Sequence, residues 1–289
     1  MNTTFRAALW MIGTIASFSV MAVAGREVSH QLDTFEIMMY RSAVGVLIVC
    51  ALAAATGAWR QIETARLRTH LLRNVAHFTG QNLWFYAVTL IPLAQVFALE
   101  FTTPIWVILL SPLVLGERLT PVRAIAAAMG FAGILIVARP DMQGISTGII
   151  AAASCAIFFA LTIMLTKRLT RAEGITSILF WLTAMQLVFG LVTAGYDGDI
   201  ALPDWQTGPW VAVIGCAGLM AHFCLTNALS IAPATVVVPI DFFRLPAIAV
   251  VGMLVYGEVI DIWIFVGAVV IFAGNYLNLW TETRPVRAM

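Results

Sequence analysis

Apolar runs of about twenty residues recur along the whole chain, separated by short breaks rich in charge, Gly or Pro. As a helix, such a run crosses the roughly 30 Å of hydrocarbon in a bilayer. Reading the runs between their polar breaks predicts ten helices, at 6–25, 34–56, 70–90, 92–115, 121–138, 146–166, 174–195, 208–231, 233–256 and 261–280. The runs are too long for the strands of a membrane barrel and lack their two-residue alternation. The first run, preceded by Arg6 and closing on Ala22-x-Ala24, has the outline of a cleavable signal peptide. It is read instead as a retained helix, because 146–166 is its counterpart in the second half of the chain.

Composition supports the membrane reading. Of 289 residues, 61% are hydrophobic and 11% charged, and the mean hydropathy is +0.93, whereas a soluble domain carries about a quarter of its residues charged. A net charge of +1 without a basic, aromatic-interleaved patch gives nucleic acid nothing to bind. Cys50, Cys155, Cys216 and Cys224 all fall in apolar runs, with no CxxC pair and no histidine at metal-ligand spacing, so they read as packing residues and not as a metal site. The sequence holds no HExxH, GxSxG, P-loop or nucleotide-binding glycine pattern in a fitting context, and its loops are too short for a catalytic domain. Neither an enzyme nor a cofactor is expected. Rings of repeated charge and carbonyl-rich re-entrant loops, the marks of a pore, are not evident either.

Basic residues orient the bundle. With the N-terminus inside, the inner segments hold twelve (Arg6; Arg60, Arg66, Arg68, Arg73; Arg118, Arg123; Lys167, Arg168, Arg171; Arg284, Arg287) and the outer segments only Arg26 and Arg139. That asymmetry predicts cytoplasmic termini. Arg41 and Arg244 are the two left over, and both lie inside predicted spans.

Displacing the chain by 141 positions aligns its two halves without a gap. Pro92 meets Pro233, Glu100 meets Asp241, Phe101 meets Phe242, Gly116-Glu117 meets Gly257-Glu258, and Phe131-Ala132-Gly133 meets Phe272-Ala273-Gly274. Five helices per copy is an odd number, so the second copy enters the membrane from the opposite side. The expected fold is all-α and integral to the membrane, with two inverted five-helix repeats around a central cavity, an arrangement typical of secondary transporters. Thr120-Pro121 and Asp261 suit the starts of the fifth and tenth helices. Glu117 and Glu258 read as boundary residues, and Gly130, Gly133, Gly267 and Gly274 as close-packing positions.

The repeat also places charge at depth. Glu100 lies eight residues past Pro92 and Asp241 eight past Pro233, so each sits about 12 Å inward at 1.5 Å per residue, near the midplane. Arg244, three residues after Asp241, shares its helix face. Its counterpart in the first copy is Thr103, so Glu100 is expected to pair with Arg41. Pro104, Pro112, Pro239 and Pro246 should kink the fourth and ninth helices, exposing carbonyls that need protein or a wet cavity beside them. Asn74, His77, Gln81 and Trp84 form one polar face on the third helix. The eighth offers His222, at the place matching Gln81, and Asn227. Trp84, Phe101, Trp106, Trp181 and Phe242 are candidates to floor a pocket. The predicted binding set is Glu100, Asp241, Arg244, Arg41, His77, Gln81, Trp84, His222, Asn227 and Phe242. The acids would take a substrate amine or a proton, and Arg244 a carboxylate.

The stretch "IPLAQVFALEFTTPIWVILLSPLVLGERLTPVRAIAAAMGFAGILIVARP", with its Pro-initiated helix closing in "LVLGERL", resembles the drug/metabolite transporter superfamily, specifically EamA-type carriers. The second copy departs more, with Val259 and Ile260 where Arg118 and Leu119 stand. The resemblance covers almost the whole chain, as one unit in 1–140 and a second in 141–289. It implies a bacterial inner-membrane carrier that works by alternating access around a central cavity without ATP. Relatives export amino acids and related metabolites or cationic drugs, and some import riboflavin or S-adenosylmethionine; no short motif names the substrate. The expected function is secondary export of a small amino-acid-like metabolite, driven by protons carried on Glu100, Asp241 or a histidine. The alternative is import of a vitamin or nucleoside-like metabolite. Expected partners are the small-molecule substrate, protons, the lipid bilayer and a second copy of the chain in a homodimer.

Overall fold

The computed structural model describes residues 3–114, 120–138, 145–170, 172–196, 198–231, 240–241 and 243–282. Among them the chain is helical throughout: α1 (Thr3–Val28), α2 (Thr34–Thr56), a 3₁₀ turn (Ala58–Gln61), α3 (Leu67–Leu90), α4 (Leu93–Glu100), α5 (Thr103–Val114), α6 (Pro121–Ala138), α7 (Thr147–Thr170), α8 (Ile175–Ala194), α9 (Gly208–Ile231), α10 (Arg244–Tyr256) and α11 (Ile262–Glu282). Seven stretches are long and apolar enough to span a bilayer, with α4 and the start of α5 counted together, while Arg244–Tyr256 and Ile262–Asn278 are apolar but shorter. A molecule with Leu113, Leu254 and Val269 each more than 60% exposed is dressed for lipid rather than water.

Helix ends follow local chemistry. Asp33 and Glu36 form a reciprocal capping box at the start of α2, and Gly57 ends that helix in the left-handed conformation at φ 67°, where a Cβ would clash with the backbone. Thr120 Oγ1 accepts from the Arg123 amide (3.3 Å), and Asp261 Oδ1 from the Trp263 amide (2.9 Å), so both expected caps form.

The 141-residue shift is visible in the helix bounds. It carries the starts of α2, α3, α5 and α6 (34, 67, 103, 121) onto those of α8, α9, α10 and α11 (175, 208, 244, 262). The most extensive packing pairs are α1 with α9, α3 with α7, α2 with α8 and α6 with α11, a set the shift maps onto itself. At the α6–α11 crossing, a Cβ on Gly133 would stand 2.8 Å from the Gly267 carbonyl oxygen, and one on Gly274 2.8 Å from that of Ala126. These two contacts exchange under the shift, so the halves interlock about a pseudo-two-fold axis. The same device brings α2 against α8 and α9: a Cβ on Gly190 would lie 2.7 Å from the Met39 Cα, and one on Gly215 2.5 Å from Val44 Cγ1. In lipid, backbones approach this closely where small residues face each other.

The fourth predicted helix is broken rather than kinked. α4 ends at Glu100 and α5 begins at Thr103, just before Pro104, which cannot donate to the Glu100 carbonyl. Side chains replace the lost backbone bonds. Thr103 Oγ1 donates to the Glu100 carbonyl (2.6 Å), Thr102 Oγ1 to that of Leu99 (2.7 Å), and Asn275 Nδ2 from α11 to that of Phe101 (3.0 Å). The exposed carbonyls are thus satisfied by protein, as burial in a membrane demands.

Candidate functional site

The break positions the charge. Glu100 is the last residue of α4 and Arg244 the first of α10, and the two helices pack together. Arg244 Nη2 lies 3.1 Å from Glu100 Oε1 and 3.1 Å from Asp241 Oδ2, with side-chain exposures of 5%, 15% and 26% for Arg244, Glu100 and Asp241. The Trp84 indole donates to Glu100 Oε2 at 2.9 Å. The guanidinium carbon sits 4.8 Å from the Phe18 ring centroid and 5.0 Å from those of Phe97 and Phe101, so three aromatic faces supply part of the solvation that water would otherwise give it.

The partner expected for Glu100 was Arg41, and the structure corrects this: Arg244 serves both acids. A helix break lets Arg244 reach across to α4 as well as back along its own chain, which i,i+3 spacing on one continuous helix does not suggest. Both contacts use Arg244 Nη2, while its Nε is buried and without a partner among the described residues. Arg41, on α2, is buried and meets no carboxylate at ion-pairing distance among the described residues; its Nη1 lies 3.9 Å from the Met38 sulfur.

His77 and His222 come together, with ring centroids 6.0 Å apart. Phe18 stands edge-on to His222 (5.9 Å), while Phe159, its counterpart under the shift, lies against His77 (6.1 Å). Gln81 is buried with its Oε1 unpartnered. Asn227 donates to the Phe223 carbonyl one turn back on α9 (2.8 Å). Phe242 and Glu117 lie outside the described residues. Two of the aromatic candidates sit elsewhere: Trp106 packs on Phe131 (5.3 Å), and Trp181 donates to the Glu63 carbonyl (2.7 Å), tying α8 to the segment before α3. Arg73, counted above with the inner loop, is instead buried within α3, where it donates to Thr166 (2.9 Å) and Asn74 (3.2 Å).

Three contributors were not singled out by sequence: Phe18, Gln186 and Arg26. Phe18 and Phe159 match under the repeat, a signal that could have flagged them; Gln186 is a lone amide in the apolar run of α8. Arg26 pairs with Glu258, donates to the carbonyls of Val88 (2.7 Å) and Ile91 (2.7 Å), and lies 4.7 Å from the Tyr256 centroid. Glu258 also accepts from the Leu93 amide (3.0 Å). Far from marking a boundary alone, Glu258 fastens α1, the α3–α4 turn and the end of α10 at one end of the bundle.

A pseudo-symmetric helical bundle dressed for lipid, with a broken helix and a buried ion cluster at its centre, defines a polytopic membrane protein of the transporter type. The chain belongs to the EamA-like transporter family, whose model matches it twice, at residues 5–139 and 146–280. It is 23% identical to an S-adenosylmethionine uptake transporter of Rickettsia prowazekii, with 99% of this chain and 96% of the relative covered. It is 30% identical to a riboflavin transporter of Brucella anthropi (83% and 85% covered). It is 27% identical to a pseudopaline exporter of Pseudomonas aeruginosa (90% and 92% covered). The protein is a small-molecule transporter of this family.

Proposed function

We propose that the chain is a secondary carrier of a small amino-acid-like metabolite, seated in the bacterial inner membrane with both termini in the cytoplasm. The observation that carries this is the charge count at the centre: two carboxylates, Glu100 and Asp241, share the single guanidinium of Arg244. An uncompensated charge at depth costs several kcal/mol, so a cationic group completes the cluster. A substrate ammonium or a coupling proton supplies it. The negative end of the α4 dipole, which terminates at Glu100, favours the same occupant.

Alternating access follows from the fastening at Arg26 and Glu258. In the orientation set by the basic residues these lie at the periplasmic end, and their bonds hold that end shut. The 141-residue shift maps Arg26 onto Lys167 and Glu258 onto Glu117, again a base and an acid. The side chains of both lie outside the described residues. A carrier at rest with its outer end closed loads from the cytoplasm, which favours export. The uptake relatives support import as the second reading.

The test is counterflow in proteoliposomes with labelled alanine, leucine, phenylalanine, riboflavin and S-adenosylmethionine, with and without an imposed pH gradient. Flux of an amino acid that is lost in Asp241→Asn supports the reading. Flux of riboflavin or S-adenosylmethionine alone supports the import reading, and near-normal flux in both Asp241→Asn and Arg244→Lys rejects the central cluster as the site. Flux indifferent to the pH gradient rejects proton coupling.

A further inference from the structure

The acid-rich cluster is not the only buried polarity in the bundle. On the other side of Phe18, where α2, α8 and α9 meet, a small cavity of about 20 Å³, enough for a water-sized group, is lined by Arg41, Ser42, Thr183, Gln186, Gly218 and His222, among others. Phe18 touches both regions, with Arg244 Cζ at 4.8 Å and the His222 ring at 5.9 Å from its centroid.

The chemistry of this cavity is the reverse of the cluster's. The Ser42 hydroxyl is committed to the Met38 carbonyl (2.6 Å) and that of Thr183 to Leu179 (3.0 Å). Among the described residues Arg41 Nε and Gln186 Nε2 are buried donors with no partner, on residues only 8% and 1% exposed. Gly218 is what allows the guanidinium to lie against α9, since a Cβ there would sit 3.0 Å from Arg41 Nε and 3.1 Å from Nη2. Native proteins seldom leave buried donors empty, and a buried cation without a counter-ion is costlier still. Water would fill the hydrogen bonds but not the charge. The missing occupant therefore brings acceptor oxygens and a negative charge.

We propose that this cavity is an anion subsite that takes the carboxylate of the transported metabolite, held by Arg41 and Gln186. The planar guanidinium edge suits a carboxylate, and its single positive charge matches a monoanion better than a phosphate dianion. This assignment rests on the reading of the chain as a carrier with a central site, and it gives the carboxylate to Arg41, which faces no acid among the described residues, rather than to Arg244, which faces two.

The experiment measures binding to the full chain in nanodiscs by thermal shift and calorimetry. The probes are matched sets built on alanine, leucine and phenylalanine: each amino acid, its amide and its decarboxylated amine. In at least one set the amino acid is expected to bind at least tenfold more tightly than its amide. Arg41→Gln abolishes that preference, Gln186→Leu reduces it severalfold while keeping the charge, and Asp241→Asn weakens binding but leaves the preference intact. The proposal is overturned if acid and amide bind alike in every set, if no amino acid binds, or if the preference survives both Arg41→Gln and Gln186→Leu in monodisperse protein. Proteoliposome flux separates the two claims. Acid-selective binding without flux sinks the carrier reading and leaves the subsite standing; flux without acid preference does the opposite.

Discussion

Replacing Arg244 with methionine removes the one cation from a cluster of two acids while keeping an unbranched apolar side chain against Phe18, Phe97 and Phe101. At 3.1 Å and an effective dielectric of about 20, each lost contact is worth roughly 5 kcal/mol of Coulomb attraction. Most of that is offset by the desolvation that the ion cluster itself requires, and cation–π attraction from the rings adds about 1 kcal/mol. Stranding a buried partner costs about 3–5 kcal/mol net. At roughly 2–4 °C per kcal/mol, the apparent Tm in nanodiscs should fall by about 10 °C. The charge-balanced triple variant Arg244→Met, Glu100→Gln, Asp241→Asn should recover most of that loss, because neutral polar groups of similar size replace a buried ion cluster at little cost. It should nevertheless fail to transport. The assay is thermal unfolding followed by tryptophan fluorescence, with flux measured on the same preparations. A single variant that unfolds within about 2 °C of the parent, or a triple variant no more stable than the single one, would refute the claim that the cluster is held by charge pairing.

Three further outcomes are expected. Glu258→Ala removes the acceptor for both Arg26 and the Leu93 amide; maleimide labelling of Ala94→Cys from the periplasmic side, in a background without the native cysteines, should rise severalfold, and unchanged labelling would show that this end is closed by other contacts. Gly267→Val places side-chain atoms against the Gly133 carbonyl oxygen, which already stands 2.8 Å from where a Cβ would lie; overpacking of about 1–3 kcal/mol should appear as a lower Tm, with the surface variant Val269→Ala as the neutral control. Asp204, in the loop before α9, has its carboxyl held below the usual aspartate range by the amides of Thr207 and Gln206. A depressed folded pKa gives stability that is present above about pH 4 and lost as pH falls through the folded value. Hydrogen exchange at 204–207 should therefore accelerate only at strongly acidic pH, and Asp204→Asn should flatten that dependence.

What the sequence by itself determined is the part of this protein written in spacing. Run length gave the all-helical membrane fold, because bilayer thickness and helix rise are fixed, though not the count of ten unbroken spans: seven stretches are long and apolar enough to cross, two are shorter, and the fourth predicted helix is broken. The 141-residue register survives in the starts of four helix pairs, and the Asp261 and Thr120 caps form where their side chains stand. Charges in apolar runs named Glu100, Asp241, Arg244 and Arg41, because lipid tolerates so few. Only the tertiary structure decided how those charges associate. Arg244 rather than Arg41 meets Glu100 because a break at Phe101 and Thr102 re-aims the chain, and Pro104 signals a lost bond but not the angle that results. Arg41 meets no acid among the described residues, and Gln186 lines the same cavity, through glycine-mediated contacts between α2, α8 and α9 that lie far apart in the chain. Spacing fixes depth and face along one helix; which face of another helix lies opposite is set by packing, and partners are chosen there.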